Sequence, residues 1–252
     1  MTSEETRRDL VVYGRRLYEK GFVASTDGNL SARLPGGGFL ATPTGLPKGE
    51  LSEALIASLD GDGRPTQGVP SSEWPMHLAI YHARPDAGAV VHAHPPFATA
   101  LACAGRTLDR PILSEVLISL GAVPLAAFEL PSTEDLAEGV ARSLGGHAAV
   151  LLANHGALTV GPDTRAAYYR METLEQAARI QLYADLLGGG RSLPEPAVQA
   201  LRGLGEGYKL APIPCAACEG CPVAAGEPGA VVLRREELAR LLAEFARVNG
   251  RG

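Results

Sequence analysis

The sequence predicts a mixed α/β domain over residues 1–188, followed by an irregular extension over residues 189–252. Segments with the helical spacing of apolar residues alternate with short apolar stretches of strand length up to about residue 188. The chain then becomes rich in glycine, proline and alanine, which is typical of a boundary. With 252 residues, the chain is long enough to bury one large core.

The first half of the domain contains two predicted hairpins and three helices. Residues 3–20 have the pattern of an amphipathic helix, and NLSARL and GGFLATP form strands around a glycine-rich turn. LIASLDGDGRPTQG predicts a second hairpin because of its Asp-Gly turns. Residues 74–83 are helical, with Pro75 in the first turn. DAGAVVHAH is a strand, and a helix begins at Pro95-Pro96.

The second half continues the alternation. GAVPLAAFEL predicts a strand, and STEDLAEGVARSLG predicts a helix capped by Ser132 or Thr133. HAAVLLANHGALTVG predicts two apolar strands broken at Asn-His-Gly, and DTRAAYYRMETLEQAARIQLYADLLGG predicts a long helix closed by glycines. In the extension, REELARLLAEFARV predicts a terminal helix.

Composition and charge narrow the function classes. The net charge of -5 gives no basic surface field, so nucleic acid is not an expected partner. No apolar run approaches the roughly 20 residues that span a bilayer, so no membrane contact is expected. The N-terminal MTSEETRRDL lacks the apolar core of a signal peptide. A cytoplasmic location is therefore expected.

Two histidines on one predicted strand indicate a metal site. His92 and His94 point to the same face of the strand, and imidazoles favour Zn²⁺, Fe²⁺, Ni²⁺ or Cu²⁺ over Mg²⁺. Such a pair also occurs on ordinary half-buried strands, so a third ligand is needed. His155 qualifies because it lies in a tight break between two strands, and Glu73 at a helix start can add an oxygen ligand.

Three histidines and one carboxylate are typical of a catalytic zinc site rather than a structural one, because catalytic sites keep a position open. A carboxylate that leaves the metal when substrate binds can act as a base, the role we expect for Glu73. His77 is expected to pack near the site without being a ligand. His82 and His147 are expected to be surface or capping residues.

Several small turns are able to bind an anion. Ser71 and Ser72 precede a helix N-terminus, where free N–H groups and the helix dipole attract phosphate. Two more turns carry amide or hydroxyl groups, namely Gly28-Asn29 and Thr42-Pro43-Thr44-Gly45. Taken singly, such residues are usually only caps. The chain has no nucleotide-binding glycine motif, so a bound phosphate would belong to a small substrate.

The segments GNLSAR, TPTGLPKGEL, SSEWPMHLAIY, RPDAGAVVHAH and NHG resemble the class II aldolase/adducin family in order and spacing, over about residues 5–188. The resemblance implies a three-layer α/β/α fold around a central, mainly antiparallel sheet, and a homotetramer with sites at subunit interfaces. It implies one Zn²⁺ per subunit, bound by His92, His94 and His155. It also implies that Glu73 is the catalytic acid/base and touches the zinc in the absence of substrate. The implied phosphate-binding positions are Asn29, Thr44, Gly45, Ser71 and Ser72.

The implied activity is the reversible retro-aldol cleavage of a phosphorylated ketose, of the L-fuculose 1-phosphate type, to dihydroxyacetone phosphate and an aldehyde. The resemblance also implies a tyrosine, supplied by the neighbouring subunit, at the aldehyde oxygen. The corresponding segment here, RPILSEVLISLG, has no tyrosine. Glu115 and Ser114 stand nearest to that position, and Tyr208 lies in the extension.

Three alternatives share the fold. A pentose-phosphate 4-epimerase also breaks and remakes a carbon–carbon bond, but such enzymes usually carry Asp where this chain has Glu73. A sugar-phosphate dehydratase of the methylthioribulose type also uses a zinc and a glutamate, but it releases water. A non-catalytic, adducin-like binding module predicts lost metal ligands, whereas all three histidines and the glutamate are present here.

A cluster of cysteines in the extension suggests a second metal site. Cys215, Cys218 and Cys221 are spaced like part of a zinc-binding or iron–sulfur run. Three cysteines form an incomplete set of ligands, and Cys103, on a predicted core helix, is a poor fourth. The alternative is a flexible loop with reduced thiols.

Overall fold

The computed structural model describes residues 2–207, and one eight-stranded sheet forms its centre. The strands are β1 (Asn29–Arg33), β2 (Phe39–Ala41), β3 (Ala57–Leu59), β4 (Pro65–Gln67), β5 (Ala89–Ala93), β6 (Leu125–Ala126), β7 (Ala149–Leu152) and β8 (Gly156–Gly161). Their order across the sheet is β4-β3-β2-β1-β5-β8-β7-β6. All neighbours are antiparallel except β6 and β7, which are parallel. The predicted, mainly antiparallel sheet is therefore confirmed.

Helices cover both faces of this sheet. They are α1 (Ser3–Glu19), α2 (Trp74–Ala83), α3 (Pro96–Cys103), α4 (Ser114–Ser119), α5 (Glu134–Leu144), α6 (Thr164–Leu186) and α7 (Glu195–Gly207). Along β5, Ala89 and Val91 belong to the core that also contains residues of α1, α3 and α6, whereas Val90 belongs to the core beneath α2 and α5. Alternate residues of a strand face opposite sides of the sheet, so the fold has the three layers that were predicted.

Local signals explain where the principal helices begin. Thr2 and Glu5 form a reciprocal capping box at the start of α1. The hydroxyl of Thr133, rather than that of Ser132, accepts a hydrogen bond from Leu136 N–H and so caps α5. Asp163 caps α6 in the same way. These caps place the predicted helices within one or two residues of their expected starts.

Three local predictions were wrong. GAVPLAAFEL contributes only Leu125–Ala126 to the sheet, because the chain leaves the sheet edge after Ala126 and residues 127–132 are largely exposed. His147 is buried rather than on the surface, and its Nδ1–H donates to the carbonyl of Ala122 at 2.8 Å. Cys103 is exposed, although it was placed on a core helix.

The extension also begins differently from the prediction of an irregular segment. Residues Glu195–Gly207 form α7, which packs against α4 and buries Val198. The boundary near residue 188 stays a prediction. The cysteine cluster Cys215, Cys218 and Cys221, the predicted terminal helix and Tyr208 lie outside the described residues.

Within residues 2–207, no helix combines the length and the apolar character needed to cross a membrane.

Candidate active site

The three histidines lie close together because β5 ends beside the point where its neighbour β8 begins. His92 lies near the end of β5, opposite Leu158 of β8, and His94 follows the strand directly. His155 lies in the turn between β7 and β8, next to Asn154, whose φ of 55° turns the chain sharply. The antiparallel register of β5 and β8 therefore brings a turn residue and a strand residue together.

The histidines form a compact cluster. One nitrogen of each of His92, His94 and His155 lies within 4.8 Å of the others. The ring centroids are 5.0 Å apart for His92 and His94, 4.8 Å for His92 and His155, and 5.1 Å for His94 and His155. Nε2 of His94 lies 3.2 Å from Nε2 of His92. The predicted ligands are thus brought together.

The protonation of His92 suits a metal ligand. Its Nδ1 lies 3.0 Å from the carbonyl oxygen of Ala157, which can only accept, so Nδ1 carries the hydrogen. The Nε2 lone pair then faces His94 and His155. Burial lowers the pKa of His92 to about 3 and also lowers the pKa of His155, so both imidazoles are neutral at pH 7. Converging neutral imidazoles form a donor set that fits a transition-metal ion.

Glu73 completes the cluster. Its Oε2 lies 3.3 Å from Nε2 of His92, and its Oε1 lies 3.4 Å from Nε2 of His155. Asn29 Nδ2–H donates to Oε2 at 2.7 Å. Burial acts to raise the pKa of Glu73, but the positive charge that the neighbouring imidazoles gain on protonation at low pH, together with the Asn29 hydrogen bond, outweighs it and holds this pKa below its usual value. The carboxylate is therefore ionised at neutral pH.

The position of Glu73 follows from the turn before α2. Glu73 is the N-cap residue of that helix, and its backbone N–H donates to Oγ of Ser71 at 3.3 Å. The N–H of Trp74 donates to the carbonyl of Ser71 at 3.0 Å. These two bonds form a tight turn that points the glutamate side chain away from the helix, towards the end of β5.

The predicted phosphate positions divide into two groups. The loops at 42–45 and 69–72 run side by side, joined by Thr44 N–H to the Val69 carbonyl at 3.2 Å and by Ser71 N–H to the Thr42 carbonyl at 3.0 Å. Thr44, Gly45 and Ser72 are exposed on these loops, whereas Ser71 is half-buried. Asn29 differs, because it is 3% exposed and its amide nitrogen contacts Glu73.

His77 lies beside the site and is not part of the histidine cluster, in line with the sequence analysis. Its Nδ1 is 2.7 Å from Oγ of Ser31, which is 2.8 Å from the hydroxyl of Tyr81. Burial lowers the pKa of His77 to about 4. Nε2 of His77 and Oδ1 of Asn29 have no hydrogen-bond partner among the described residues, and both residues line one narrow crevice with Trp74.

Two charged residues near the site were missed from the sequence. Oδ2 of Asp27 lies 3.5 Å from Nδ1 of His94. Lys48 is 1% exposed, and its ammonium donates to the carbonyls of Thr26 and Leu46 at 2.9 and 2.8 Å. Asp27 lies in the polar turn STDGN, and Lys48 lies in TPTGLPKGEL, one of the segments that carry the family resemblance. The sequence features that could have indicated these residues were a carboxylate directly before Gly-Asn and a charged lysine among small and apolar residues.

Among residues 2–207, the positions that the resemblance implies for an aldehyde end form no such cluster. Glu115 is exposed in the first turn of α4, and Ser114 is half-buried at its start. Within the hydrogen bonds and ion pairs of residues 2–207, neither is joined to Glu73 or to the three histidines.

The three-layer fold brings three histidines and a glutamate together at the end of β5, and this combination defines the class of protein. The family model described as Class II Aldolase and Adducin N-terminal domain matches residues 8–182. The chain therefore belongs to the class II aldolase and adducin family.

Individual relatives include both aldolases and decarboxylases. The chain is 35% identical over 185 residues to 3-oxo-tetronate 4-phosphate decarboxylase of Pectobacterium atrosepticum, covering 71% of this chain and 84% of the relative. It is 36% identical over 165 residues to L-fuculose phosphate aldolase of Escherichia coli K12, covering 64% and 75%. It is also similar to the crystal structure of YgbL from Klebsiella pneumoniae, with a TM-score of 0.75 and 34% identity, over 80% of this chain and 100% of that chain.

Proposed function

We propose that this protein is a zinc-dependent lyase that breaks the carbon–carbon bond between the α and β carbons of the ketone in a small phosphorylated sugar. The preferred reaction is the reversible retro-aldol cleavage of a ketose phosphate of the L-fuculose 1-phosphate type, giving dihydroxyacetone phosphate and an aldehyde. The observation that carries the proposal is the Glu73 carboxylate, held by Asn29 and within 3.4 Å of both His92 and His155. A carboxylate in that position is next to any substrate that binds the same ion.

His92, His94 and His155 would hold the zinc, and a zinc ion bound there supplies Lewis-acid polarisation of the ketone and of the neighbouring hydroxyl. Glu73 moves the proton. In the synthetic direction, its ionised carboxylate removes a proton from the hydroxymethyl carbon of dihydroxyacetone phosphate. In the cleavage direction, the carboxylate first takes up a proton from solvent, and the carboxyl group then delivers it to that carbon after the carbon–carbon bond has broken. Asn29 keeps the carboxylate oriented between these two events.

The phosphate end of the substrate fits the exposed pair of loops beside α2. Thr44, Ser72 and Gly45, whose φ is 69°, are exposed there. The backbone N–H of Glu73 is bonded to Ser71, so Ser71 shapes this end through the turn. We assign the phosphate to Asn29, Thr44, Gly45, Ser71 and Ser72, and Asn29 additionally contacts Glu73.

A second candidate is the decarboxylation of a 3-oxo-tetronate 4-phosphate. Loss of carbon dioxide from the carbon next to the ketone, followed by protonation of that carbon, also gives dihydroxyacetone phosphate. The relative from Pectobacterium atrosepticum carries this activity in its name. Residues 111–121 also contain no tyrosine, and the absence of this group favours decarboxylation over aldol cleavage. A departing aldehyde requires a group that takes the proton of its hydroxyl, whereas departing carbon dioxide does not.

Supplying zinc-loaded protein with each substrate tests the proposal. Dihydroxyacetone phosphate is followed by coupled reduction with NADH, while the aldehyde and carbon dioxide are measured separately. Equal amounts of dihydroxyacetone phosphate and lactaldehyde from L-fuculose 1-phosphate establish the aldolase. Dihydroxyacetone phosphate and carbon dioxide from 3-oxo-tetronate 4-phosphate establish the decarboxylase. If zinc is bound and neither substrate reacts, the proposal is wrong, and the epimerase and dehydratase alternatives are tested next.

The resemblance also leads us to propose a homotetramer with sites at subunit interfaces. Light scattering on the purified protein tests this assembly, and a monomer would contradict it.

A further inference from the structure

The segment from Phe22 to Asn29 contacts the end of β5, near His92 and His94, at both of its ends. At one end, the N–H of His94 donates to the carbonyl of Phe22 at 2.9 Å. At the other, Asn29 is paired with His92 in the antiparallel register of β1 and β5. The short segment between these anchors, residues 23–28, therefore forms an arch beside the end of β5. Within it, Asp27 N–H donates to the carbonyl of Ala24 at 2.9 Å and closes a turn.

Gly28 allows this arch to lie close to the strand. Its φ of 70° is in the left-handed region that favours glycine. A Cβ at this position would lie 2.5 Å from Cγ1 of Val23 and 2.9 Å from the carbonyl oxygen of His92. The close approach, together with the turn before it, sets where the side chain of Asp27 emerges.

Lys48 contacts the same segment through its side chain. Its buried ammonium donates to the carbonyl of Thr26, the residue before Asp27, at 2.9 Å. It also donates to the carbonyl of Leu46, at 2.8 Å, and so joins the arch to the TPTG loop. A charged donor to a buried carbonyl forms a strong hydrogen bond, and its loss would leave both carbonyls without that partner.

The arch places the carboxylate of Asp27 beside Nδ1 of His94, the ring nitrogen that points away from the histidine cluster. Oδ2 of Asp27 lies 3.5 Å from Nδ1 of His94, while Nε2 of His94 faces His92 inside the cluster. The distance is longer than an ordinary hydrogen bond, but the side chain of Asp27 is 48% exposed and has room to rotate towards the ring. For His92, the carbonyl of Ala157 already occupies the corresponding outer position.

We propose that Asp27 is a positioning residue that accepts the Nδ1–H of His94, and that Lys48 secures the segment that presents it. Accepting that hydrogen fixes the tautomer of His94, so that its Nε2 lone pair points to the ion and its ring is held in place. Asp27 therefore does for His94 what the Ala157 carbonyl does for His92. This inference rests on the metal site of the proposed function and not on the identity of the substrate.

Metal affinity tests the inference directly. Zn²⁺ dissociation constants are measured by competition with a chromophoric chelator for the wild type, Asp27→Asn, Asp27→Ala and the control Asp62→Asn. Asp62 is an exposed carboxylate paired with Arg64, so its substitution removes the same charge without touching the site. We expect a 10- to 100-fold weaker affinity for both Asp27 variants and an unchanged affinity for the control. Asp27→Glu, which keeps a carboxylate, is expected to retain more affinity than Asp27→Asn.

A second readout separates positioning from a general loss of structure. The visible spectrum of Co²⁺-loaded protein is expected to change in Asp27→Asn, because the coordination by His94 changes, while the thermal unfolding of the metal-free protein does not. Zinc affinity within twofold of wild type in both Asp27 variants overturns the inference, even if KM rises, because that result assigns Asp27 to the substrate. A wild type that binds neither Zn²⁺ nor Co²⁺ overturns the inference and the proposed function together.

Discussion

The carboxylate of Glu73 lies 3.3 Å from Nε2 of His92 and is fastened there by the amide of Asn29. The two residues come from the start of α2 and the end of β5. Asn29 opens β1, the strand that pairs with β5, so the sheet itself sets the separation between base and ligand. The proposed acid/base group and a proposed metal ligand are thus held by the same sheet, and such fixed positions favour proton transfer at a bound substrate.

Replacing Glu73 with glutamine separates the two roles of this side chain. Gln keeps the shape and the contact distance, but it cannot accept a proton at neutral pH. We expect turnover of the reactive substrate to fall by roughly 100-fold or more, while most of the zinc affinity is retained. Turnover and zinc content are measured on the same preparation. Turnover close to wild type would remove Glu73 from the mechanism.

Truncating one ligand is expected to abolish both metal and activity. His94→Ala removes a ligand that is only partly buried, so the fold should survive the change. The matched control is His82→Ala, an exposed histidine on α2 that lies outside the cluster. We expect His94→Ala protein to lose stoichiometric zinc after dialysis and the control to keep it. Equal zinc content in the two variants would show that the cluster does not hold the ion.

A methyl group at Gly156 is expected to displace the histidine cluster while leaving all three histidines in the sequence. A Cβ there would lie 2.6 Å from the carbonyl oxygen of Ala93 and 2.6 Å from Cδ2 of His94. Relief requires a shift of backbone or of the ring, so we expect Gly156→Ala to weaken zinc binding and to cost about 1–3 kcal/mol of unfolding free energy. Gly36→Ala, with open space around its Cβ, is the control. Equal zinc affinity and equal unfolding free energy in the two variants would contradict the close packing of Gly156 against Ala93 and His94.

The buried ammonium of Lys48 predicts a pH dependence of stability. Burial lowers the pKa of Lys48 from 10.5 to about 8, so between these pH values the unfolded chain binds more protons than the folded chain. The contribution of Lys48 to the free energy of unfolding therefore rises between pH 8 and 10.5 and is lost as the pH falls through 8. Relative to Lys48→Met, the wild type is expected to gain at most about 3 kcal/mol across that window.

Urea unfolding of the metal-free proteins at pH 7 and pH 10.5 measures this difference. Taking the difference between wild type and variant removes the contribution of every other titrating group that the substitution leaves unchanged. Parallel stability curves for the two proteins would show that Lys48 is not buried in its charged form.

Much of the site follows from local sequence signals. His92 and His94 are two residues apart at the end of an apolar strand, and His155 interrupts another apolar run, so both positions are visible without knowledge of the fold. Glu73 follows a Ser-Ser turn and precedes a proline-initiated helix. Their meeting point depends on the register of β5 with β1 and β8, which the family resemblance supplies and the spacing alone does not.

The contact between Asp27 and His94 could not be predicted in this way. It depends on how closely the arch before β1 approaches β5, and therefore on Gly28 and on the carbonyl contacts of Lys48. Two short elements differ from the sequence interpretation for a related reason. The six-residue α4, which was not predicted, has no side-chain cap, and β6 keeps only two residues of a longer predicted strand, so both are set by tertiary packing rather than by local preference.

The most direct test of the central claim is proton exchange at dihydroxyacetone phosphate. The compound is incubated with zinc-loaded protein in deuterium oxide, and the hydroxymethyl protons are followed by NMR. Aldol and decarboxylation chemistry share the transfer of this proton, so the test does not depend on which second product leaves. We predict that one of the two protons exchanges faster than without protein, and that neither Glu73→Gln nor metal-stripped protein supports the exchange. Absence of exchange in zinc-loaded wild type, or equal exchange in Glu73→Gln, would contradict the assignment of Glu73 as the group that moves the proton.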